Sequence, residues 1–303
     1  MDLAYISFRQ ILTMVILMLV GLLCAKIGLV DRDTVKKLSN LVLYLVFPLI
    51  ILLSYQRPFE IELLWGLLLS LLLSVVVFVI AFAVTYLVYK NRGGKDFAIE
   101  RFACIYPNSG FLGIPLIYGI FGTEGVFYLT GYLTIFFMLI FTHGMMSMGG
   151  ERDFGAVKRV LISPPILSIV LGFGLFVLGI RLPGVILAPA QLLADLNTPL
   201  AMLVAGASIY GVGAVKTIRD RRIYAICAVR LLLIPGLTML VLAPFQLPGV
   251  LLGTIIVVAA CPAAAILVLA AHRYERDHVY ASQVFAATTI LSMGTIPLLL
   301  LFH

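Results

Sequence analysis

Residues 107–115 read PNSGFLGIP, and they lie near the centre of a hydrophobic run that extends from position 99 to position 121. A helix that crosses a bilayer needs roughly 20 mainly apolar residues, so the run is long enough to cross. Its centre, however, holds two prolines, two glycines, an amide and a hydroxyl. Proline removes a backbone N–H and clashes with the carbonyl one turn earlier, and glycine permits non-helical backbone. The pattern predicts a helix that breaks at bilayer depth; the alternative is a proline kink that neighbouring helices repair.

The polar side chains inside this break are Asn108 and Ser109. Unpaired backbone groups cannot face lipid, and they persist only where they are buried in protein or line a watery cavity. Transporters place substrate and ion sites at such breaks. The amide and the hydroxyl offer donors and acceptors that suit a carboxylate or hydroxyl of a substrate. The alternative is that both side chains only satisfy backbone carbonyls that the break frees.

The composition indicates an integral membrane protein. Of the 303 residues, 62% are hydrophobic and 12% are charged, and the mean hydropathy is +1.14, whereas soluble domains are roughly half apolar and a quarter charged. No segment resembles a soluble domain, so we expect one membrane domain over residues 1–303. The net charge of +7 belongs to basic residues in loops beside the spans, where they indicate orientation. We therefore expect the lipid bilayer as a partner and no nucleic acid.

Several chemical signatures are missing from the sequence. The four cysteines lie in apolar runs without paired spacing, which is typical of buried small hydrophobes and not of disulfides or metal sites. No GxxxxGK[ST] motif occurs, so direct ATP drive within this chain is not expected. No nucleophile and base pair and no metal-ligand cluster lies in the spans. We expect neither an enzyme, nor a bound metal, nor a cofactor.

Apolar runs separated by polar or glycine- and proline-containing breaks predict ten transmembrane helices. In chain order, spans 1 to 10 cover residues 8–29, 38–55, 63–89, 98–121, 126–147, 162–180, 190–211, 222–243, 249–271 and 279–302. With alternating connections, seventeen of the 21 lysines and arginines fall on one side of the membrane, and Arg9, Arg57 and Arg181 fall on the other. Cytoplasmic loops carry the excess of basic residues. We therefore expect a multi-pass protein of the plasma or inner membrane with both termini on the extracytoplasmic side.

The two halves of the chain resemble each other. Gly28 and Pro48 recur at the same spacing as Gly179 and Pro199, so span 2 corresponds to span 7. Repeat one then covers residues 1–149 and repeat two covers residues 160–303. Because five spans per repeat is an odd number, the second repeat is inverted relative to the first, as in many secondary transporters.

Span 9 should then be broken like span 4. Its centre reads ACPAAA at residues 260–265, and Pro262 can be set against Pro107. Small side chains allow two broken helices to cross closely. The N-terminal ends of their second halves would point toward each other at the midplane, where two partial positive charges favour an anion.

Three sets of residues resemble the auxin efflux carrier family, which includes plant PIN-type carriers and bacterial malate or malonate permeases. They are residues 107–116, the run Ala228-Val229-Arg230-Leu231 with Pro235, and Cys261-Pro262 through Tyr274 to Pro297. The resemblance implies a ten-span fold with an inverted five-span repeat, related to bile-acid symporters and sodium/proton antiporters, with spans 4 and 9 crossing at the site. It also implies that spans 1, 2, 6 and 7 form a scaffold along which spans 3–5 and 8–10 move as an elevator. The chain lacks the long cytosolic loop of the long plant carriers, and Ala263 stands where those carriers would have an amide.

The predicted site follows from the two breaks and the resemblance. The residues that we expect to bind substrate are Asn108, Ser109, Gly110, Arg230, Cys261 and Ala263. The predicted crossover positions are Pro107, Gly113, Pro115 and Pro262, and the predicted scaffold positions are Pro48, Asn197, Thr198 and Pro199. Arg230 lies inside span 8, where an arginine is costly unless it is paired or faces water. Its guanidinium fork could hold a carboxylate, or the side chain could snorkel to the cytosolic interface.

Other polar residues near the spans are weaker candidates. For Asp195, at the outer end of span 7, interfacial solvation is favoured over proton transfer, and His143, near the inner end of span 5, is favoured as a satisfied polar residue over a proton relay. Acidic residues do not occupy the middle of any predicted span, which weakens a sodium or proton site of the antiporter type.

These features predict a secondary transporter of small organic acid anions with elevator-type alternating access, exporting under the membrane potential. The alternatives are a proton- or cation-coupled permease for a dicarboxylate such as malate or malonate, and a membrane sensor that binds its ligand without moving it. The expected partners are a small carboxylate and a second copy of the chain, held through the scaffold.

Overall fold

The computed structural model describes residues 3–90, 96–149, 161–212 and 220–301. Within these ranges the chain is helical, and its fifteen α-helices are joined by turns, short loops and four π-helical turns. The helices are α1 Leu3–Lys26, α2 Arg32–Leu41, α3 Phe47–Ser54, α4 Ile61–Val88, α5 Phe97–Ile105, α6 Ile114–Leu139, α7 Met145–Ser147, α8 Pro164–Val177, α9 Gly184–Ala194, α10 Asn197–Ile209, α11 Arg221–Ala228, α12 Ile234–Leu242, α13 Gly249–Ala260, α14 Ile266–Arg273 and α15 His278–Leu300.

Seven helical segments of the described chain are long and apolar enough to cross a membrane. Two further apolar helices, α8 and α13, are shorter. The longest segment, Ser109–Ser147, has 39 residues, and its length of about 58 Å is twice the hydrocarbon core of a bilayer. Its helix turns at Gly122, where φ is 64°, a value that L-residues with a Cβ rarely adopt. The predicted all-helical fold with helices of membrane-crossing length is therefore confirmed for the described residues, whereas the number of ten spans and the inverted repeat stay predictions.

Three of the four π-helical turns have a proline as their cause. The turns Val42–Val46, Ser109–Gly113 and Val229–Leu233 each precede a proline at the second position of the following helix, namely Pro48, Pro115 and Pro235. A proline cannot donate to the carbonyl one turn earlier and its ring crowds that carbonyl, and a wider turn relieves both problems. The fourth turn, Ile140–Gly144, has no such proline and contains His143.

Glycines permit the closest helix contacts. Helix α1 packs along α10, and a Cβ added at Gly21 or Gly206 would collide with the backbone of Leu203 or Met18. Helix α3 packs on α8 in the same manner, because Gly172 lies against the ring of Tyr55. Large apolar side chains cover the outer surface of the bundle, where they suit lipid, for example Leu19, Trp65, Val170 and Leu240.

Candidate functional site

The centre of the molecule contains two broken helices. Helix α5 ends at Ile105, and regular helix resumes at Ile114 after an extended segment and a π-helical turn. Helix α13 ends at Ala260, and α14 begins at Ile266. Both interruptions coincide with the proline-containing segments quoted from the sequence, at residues 107–115 and 260–265. The backbone therefore opens at both positions predicted for spans 4 and 9.

The two breaks are hydrogen-bonded to each other. Pro107 and Ala263 form an isolated antiparallel bridge. The N–H of Asn108 donates to the carbonyl of Pro262 across 2.7 Å, and the N–H of Ala264 donates to the carbonyl of Tyr106 across 2.9 Å. Backbone groups that have no partner within their own helix at one break are thus hydrogen-bonded to the other break. This satisfies the requirement that buried backbone groups be paired.

The polar side chains of the first break do not take part in that pairing. Asn108 is almost fully buried, and its carboxamide makes no hydrogen bond to any residue that the structure describes, although its backbone carbonyl accepts from the N–H groups of Leu112 and Gly113. The hydroxyl of Ser109 is buried and has no hydrogen-bond partner within the described part of the chain. A buried polar group without a partner calls for a ligand or water. The break therefore presents unused donors and acceptors, and their role in substrate binding stays a prediction.

The scaffold helices predicted from the resemblance lie directly against this break. The ring of Phe47 covers Gly110, where an added Cβ would approach Cε2 to 2.8 Å, and it meets the ring of Phe111 edge to face at 5.4 Å between centroids. Helix α10 also packs on the turn Ser109–Gly113. Its first residue, Asn197, is buried, and neither amide atom of its side chain has a partner among the described residues.

Arg230 is the largest fully buried side chain in the described chain, with 1% of its surface exposed. Its Nε donates to the carbonyl of Cys261 at 2.9 Å, Nη1 to that of Cys104 at 3.0 Å and Nη2 to that of Ala259 at 2.5 Å. The side chain does not snorkel to an interface. It lies between the two broken helices and donates hydrogen bonds to both of them. Its predicted contact with a substrate carboxylate stays a prediction.

The other predicted residues lie close to these groups or at bends in the helices that are predicted to form the scaffold. Pro115 follows the π-helical turn Ser109–Gly113, and its carbonyl accepts a hydrogen bond from the side chain of Gln10. The sulfur of Cys261 lies beside Gly113, 3.6 Å from the point that a Cβ would occupy there. Pro48 and Pro199 lie just after interruptions in their helices, with Thr198 beside the second.

Comparisons with known proteins identify the family. A family model described as membrane transport protein, that of the auxin efflux carrier family, matches residues 6–155 and 153–300. The chain belongs to this family. It is 26% identical over 301 residues to an uncharacterized transporter of Methanothermobacter thermautotrophicus, covering 96% of this chain and 97% of the relative. It is also 26% identical over 299 residues to an uncharacterized transporter of Methanocaldococcus jannaschii, covering 94% and 95%. The resemblance to the auxin efflux carrier family is thus confirmed, and the chain is a multi-pass membrane transporter.

This member of the auxin efflux carrier family buries an acid that the sequence patterns did not single out. Glu100 lies in the first turn of α5, is 4% exposed and accepts a hydrogen bond from the hydroxyl of Tyr280 at 3.1 Å. Arg222 lies 3.9 Å from the same carboxylate and pairs more closely with Asp96 and Asp220, at 2.9 and 3.1 Å. The sequence did show that an acid lies within the apolar run 98–121, which could have identified Glu100. The adjacent Arg101, however, indicated that this end of the span lies at the membrane interface.

Asp220 anchors this ion-pair cluster at the start of α11. Its carboxylate accepts from the backbone N–H of Arg222 at 2.9 Å and caps the helix. Partial burial raises the pKa of the Asp220 carboxyl, but the hydrogen bonds and the charge of Arg222 outweigh burial and hold that pKa below its ordinary value.

His143 is also more tightly held than the sequence indicated for this auxin efflux carrier family member. Its Nδ1 lies 2.8 Å from the hydroxyl of Tyr106, and its Nε2 lies 3.1 Å from the hydroxyl of Tyr86. Tyr106 also bonds the carbonyl of Leu139 and contributes its own carbonyl to the paired breaks. The imidazole is therefore joined to the first break through one residue. These hydrogen bonds agree with the interpretation of His143 as a satisfied polar residue. They also connect the imidazole to the first break through Tyr106, which no sequence pattern indicated.

Proposed function

We propose that this chain is a secondary transporter of small organic acid anions that binds its substrate at the paired breaks. The observation that carries the proposal is that the backbone of the first break is paired with the second break while its polar side chains are not used. The buried Ser109 hydroxyl has no partner among the described residues, and the Asn108 carboxamide, on a residue that is 4% exposed, makes no hydrogen bond to them. The break has no carboxylate of its own, and its amide and hydroxyl can donate to a carboxylate.

The helix arrangement supports an inverted repeat of five spans. Helices α3 and α8, of predicted spans 2 and 6, pack together, and so do their counterparts α10 and α1, of predicted spans 7 and 1. The segment Ser109–Ser147 supplies two crossings because it turns at Gly122. With each broken helix counted once, ten spans result, and both termini then lie on the same side, which we assign to the extracytoplasmic face of the cell membrane.

The dipoles of the second halves favour an anion. Helices α6 and α14 both start beside the breaks, and each helix N-terminus carries a partial positive charge. If the two broken helices cross as proposed, these ends converge on the space beside Asn108. A small carboxylate would then be held by dipoles and neutral donors together.

Polar contacts between the proposed scaffold and transport groups are consistent with one end state of an elevator. Between described residues, four side-chain hydrogen bonds join the groups, and all involve helix α6: Gln10 with Pro115, Tyr55 with Thr130, Arg57 with Thr123 and Gln191 with Tyr118, at 3.3, 2.6, 3.4 and 3.3 Å. In the proposed topology these pairs lie toward the extracytoplasmic side, to which the amino terminus is also assigned. We assign the structure to a state that is closed on that side, from which the transport group slides to open it.

Export of an anion does not need a coupled ion. A monovalent anion that leaves a negative-inside cell gains roughly 2.3 kcal/mol per 100 mV, which supports a concentration ratio of about 50. Buried Glu100 favours one alternative, a proton- or cation-coupled permease for a dicarboxylate such as malate or malonate, because intramembrane carboxylates often carry the coupled ion.

Flux measurements separate these functions. Purified protein in liposomes is loaded with labelled malonate or malate, and a potassium diffusion potential is imposed with and without a pH gradient. Potential-driven efflux that ignores the pH gradient supports the proposal, whereas flux that follows the gradient and is lost in Glu100→Gln supports coupled uptake. Carboxylate binding without any flux would identify a sensor and contradict transport.

A further inference from the structure

Arg230 is a buried cation without an acidic partner. Its side chain is 1% exposed, and no carboxylate of the described residues lies within ion-pair distance of it. Arginine stays protonated in proteins, so the centre of the molecule carries a full positive charge. Such a charge is expensive at membrane depth unless polar groups stabilise it, and it commonly marks a functional site.

The groups that stabilise Arg230 are the carboxyl ends of both first half-helices. Cys104 lies in the last turn of α5, Ala259 lies in the last turn of α13, and Cys261 is the residue that caps α13. The last carbonyls of a helix have no partner within it and carry about half a negative charge. The guanidinium therefore satisfies orphan carbonyls of two helices from different halves of the chain.

This placement changes the charge balance at the breaks. Two broken helices bring two negative ends and two positive ends to one region, and the four partial charges would largely cancel. Because Arg230 covers the negative ends of α5 and α13, the positive ends of α6 and α14 remain uncompensated. The region then has a net positive charge of about one unit.

We infer that Arg230 is a positioning residue that makes the site selective for anions without binding them directly. This inference rests on the proposed function and specifies its substrate class: the transported molecule supplies the negative charge that the protein omits. Each of the three nitrogens of the planar guanidinium donates to a different carbonyl. The ammonium of a lysine also has three N–H donors, but they radiate from one nitrogen and cannot reproduce this planar fork. The same residue therefore sets the charge of the site and holds the two breaks in register.

The test compares an acid with its uncharged analogue. Binding of malonate and malonamide to detergent-purified protein is measured by titration calorimetry, and the affinity ratio of acid to amide is the readout. In the wild type we expect a clear preference for malonate. Arg230→Gln should reduce that ratio at least about tenfold, because charge interactions over several ångströms in a partly dry site are worth that much. Arg181→Gln, in a loop, is the matched control and should leave the ratio unchanged.

A second pair of variants leaves Arg230 in place. Cys104 is buried beside the guanidinium, and its side chain is not among the predicted substrate contacts. Cys104→Asp adds the missing counter-charge, whereas Cys104→Asn has nearly the same size and no charge. The acid-to-amide ratio should fall in the aspartate variant and persist in the asparagine variant, which a purely structural role of Arg230 would not produce.

The outcomes are distinguishable from those for transport. Three outcomes would each overturn the inference. Arg230→Gln could lose acid and amide binding equally, Cys104→Asp could leave the acid-to-amide ratio unchanged, or the wild type could bind malonate no better than malonamide. Selective binding without flux would contradict the proposed transport and leave the role of Arg230 standing.

Discussion

The backbone N–H of Asn108 donates to the carbonyl of Pro262 across 2.7 Å, and this bond joins the two broken helices. It belongs to the main chain, so the side chain of Asn108 is not needed for the joint. A change of that side chain therefore separates ligand binding from architecture, which is the basis of the first prediction.

We expect Asn108→Ala to fold as the wild type does and to lose substrate affinity. Loss of one hydrogen bond to a charged ligand group costs roughly 1.5–3 kcal/mol, or about 10- to 150-fold in Kd. Carboxylate titration and thermal unfolding of the same samples would measure both quantities. Asn40→Ala, at an exposed position of α2, is the control; a variant of Asn108 that binds normally would exclude the amide from the site.

Gly110→Ala should impair transport by pushing the ring of Phe47. The added Cβ would lie 2.8 Å from Cε2 of that ring, a contact that forces the neighbour to move, and overpacking of this kind typically costs about 1–3 kcal/mol. Phe47→Leu provides space, so the double variant should recover part of the lost flux. If the loss of flux in the double variant equals the sum of the losses in the two single variants, the two residues do not interact.

Tyr55→Phe should shift the conformational equilibrium away from the present state. The change removes the 2.6 Å hydrogen bond to Thr130 and keeps the ring contacts with Phe127 and Phe176. A net loss of about 1 kcal/mol changes the ratio of the two states roughly fivefold. Hydrogen exchange at the amino-terminal end of α6 would report it, with the exposed Tyr44→Phe as control. Equal exchange in both variants would argue against a role in closure.

Gly206→Ala should destabilise the protein strongly, whereas Gly174→Ala should be neutral or slightly stabilising. The first Cβ collides with the backbone of Met18 in α1, and the second meets nothing within 4 Å. Alanine is favoured over glycine in helices by about 1 kcal/mol, so only packing explains opposite outcomes. Unfolding temperatures of the two variants provide the measurement, and similar values would contradict the close approach of α1 and α10.

Acid should weaken the cluster around Arg222. The pKa of Asp220 is lowered in the folded protein, so its carboxylate contributes stability above its ordinary pKa of about 3.9, and this contribution is lost as the pH falls through the folded value. The unfolding temperature of the wild type should therefore decrease more steeply below about pH 4 than that of Asp220→Asn. Parallel pH profiles would assign the acid sensitivity to other groups.

The sequence was sufficient for features that depend on local chemistry. Apolar runs predicted the membrane helices, and the prolines at positions 107, 115 and 262 predicted interruptions at both breaks, because a missing N–H acts on the residues beside it. The resemblance to the family also followed from sets of residues that can be read along the chain, at positions 107–116, 228–235 and 261–297, and the family model confirms it.

Contacts between distant segments needed the fold. The apolar residues around Arg230 placed it inside a predicted span. Its hydrogen-bond partners could not be predicted in this way, because Cys104 and Cys261 come from different halves of the chain. The burial of Glu100 under Tyr280 and the hold of two tyrosines on His143 have the same origin. The conformation of the backbone depends mainly on neighbouring residues, so it can be predicted from the sequence. The partner of a buried polar group depends on how the helices pack. Apolar helices of similar composition do not specify that packing in their sequence pattern, and it is decided by the fit of their surfaces in three dimensions.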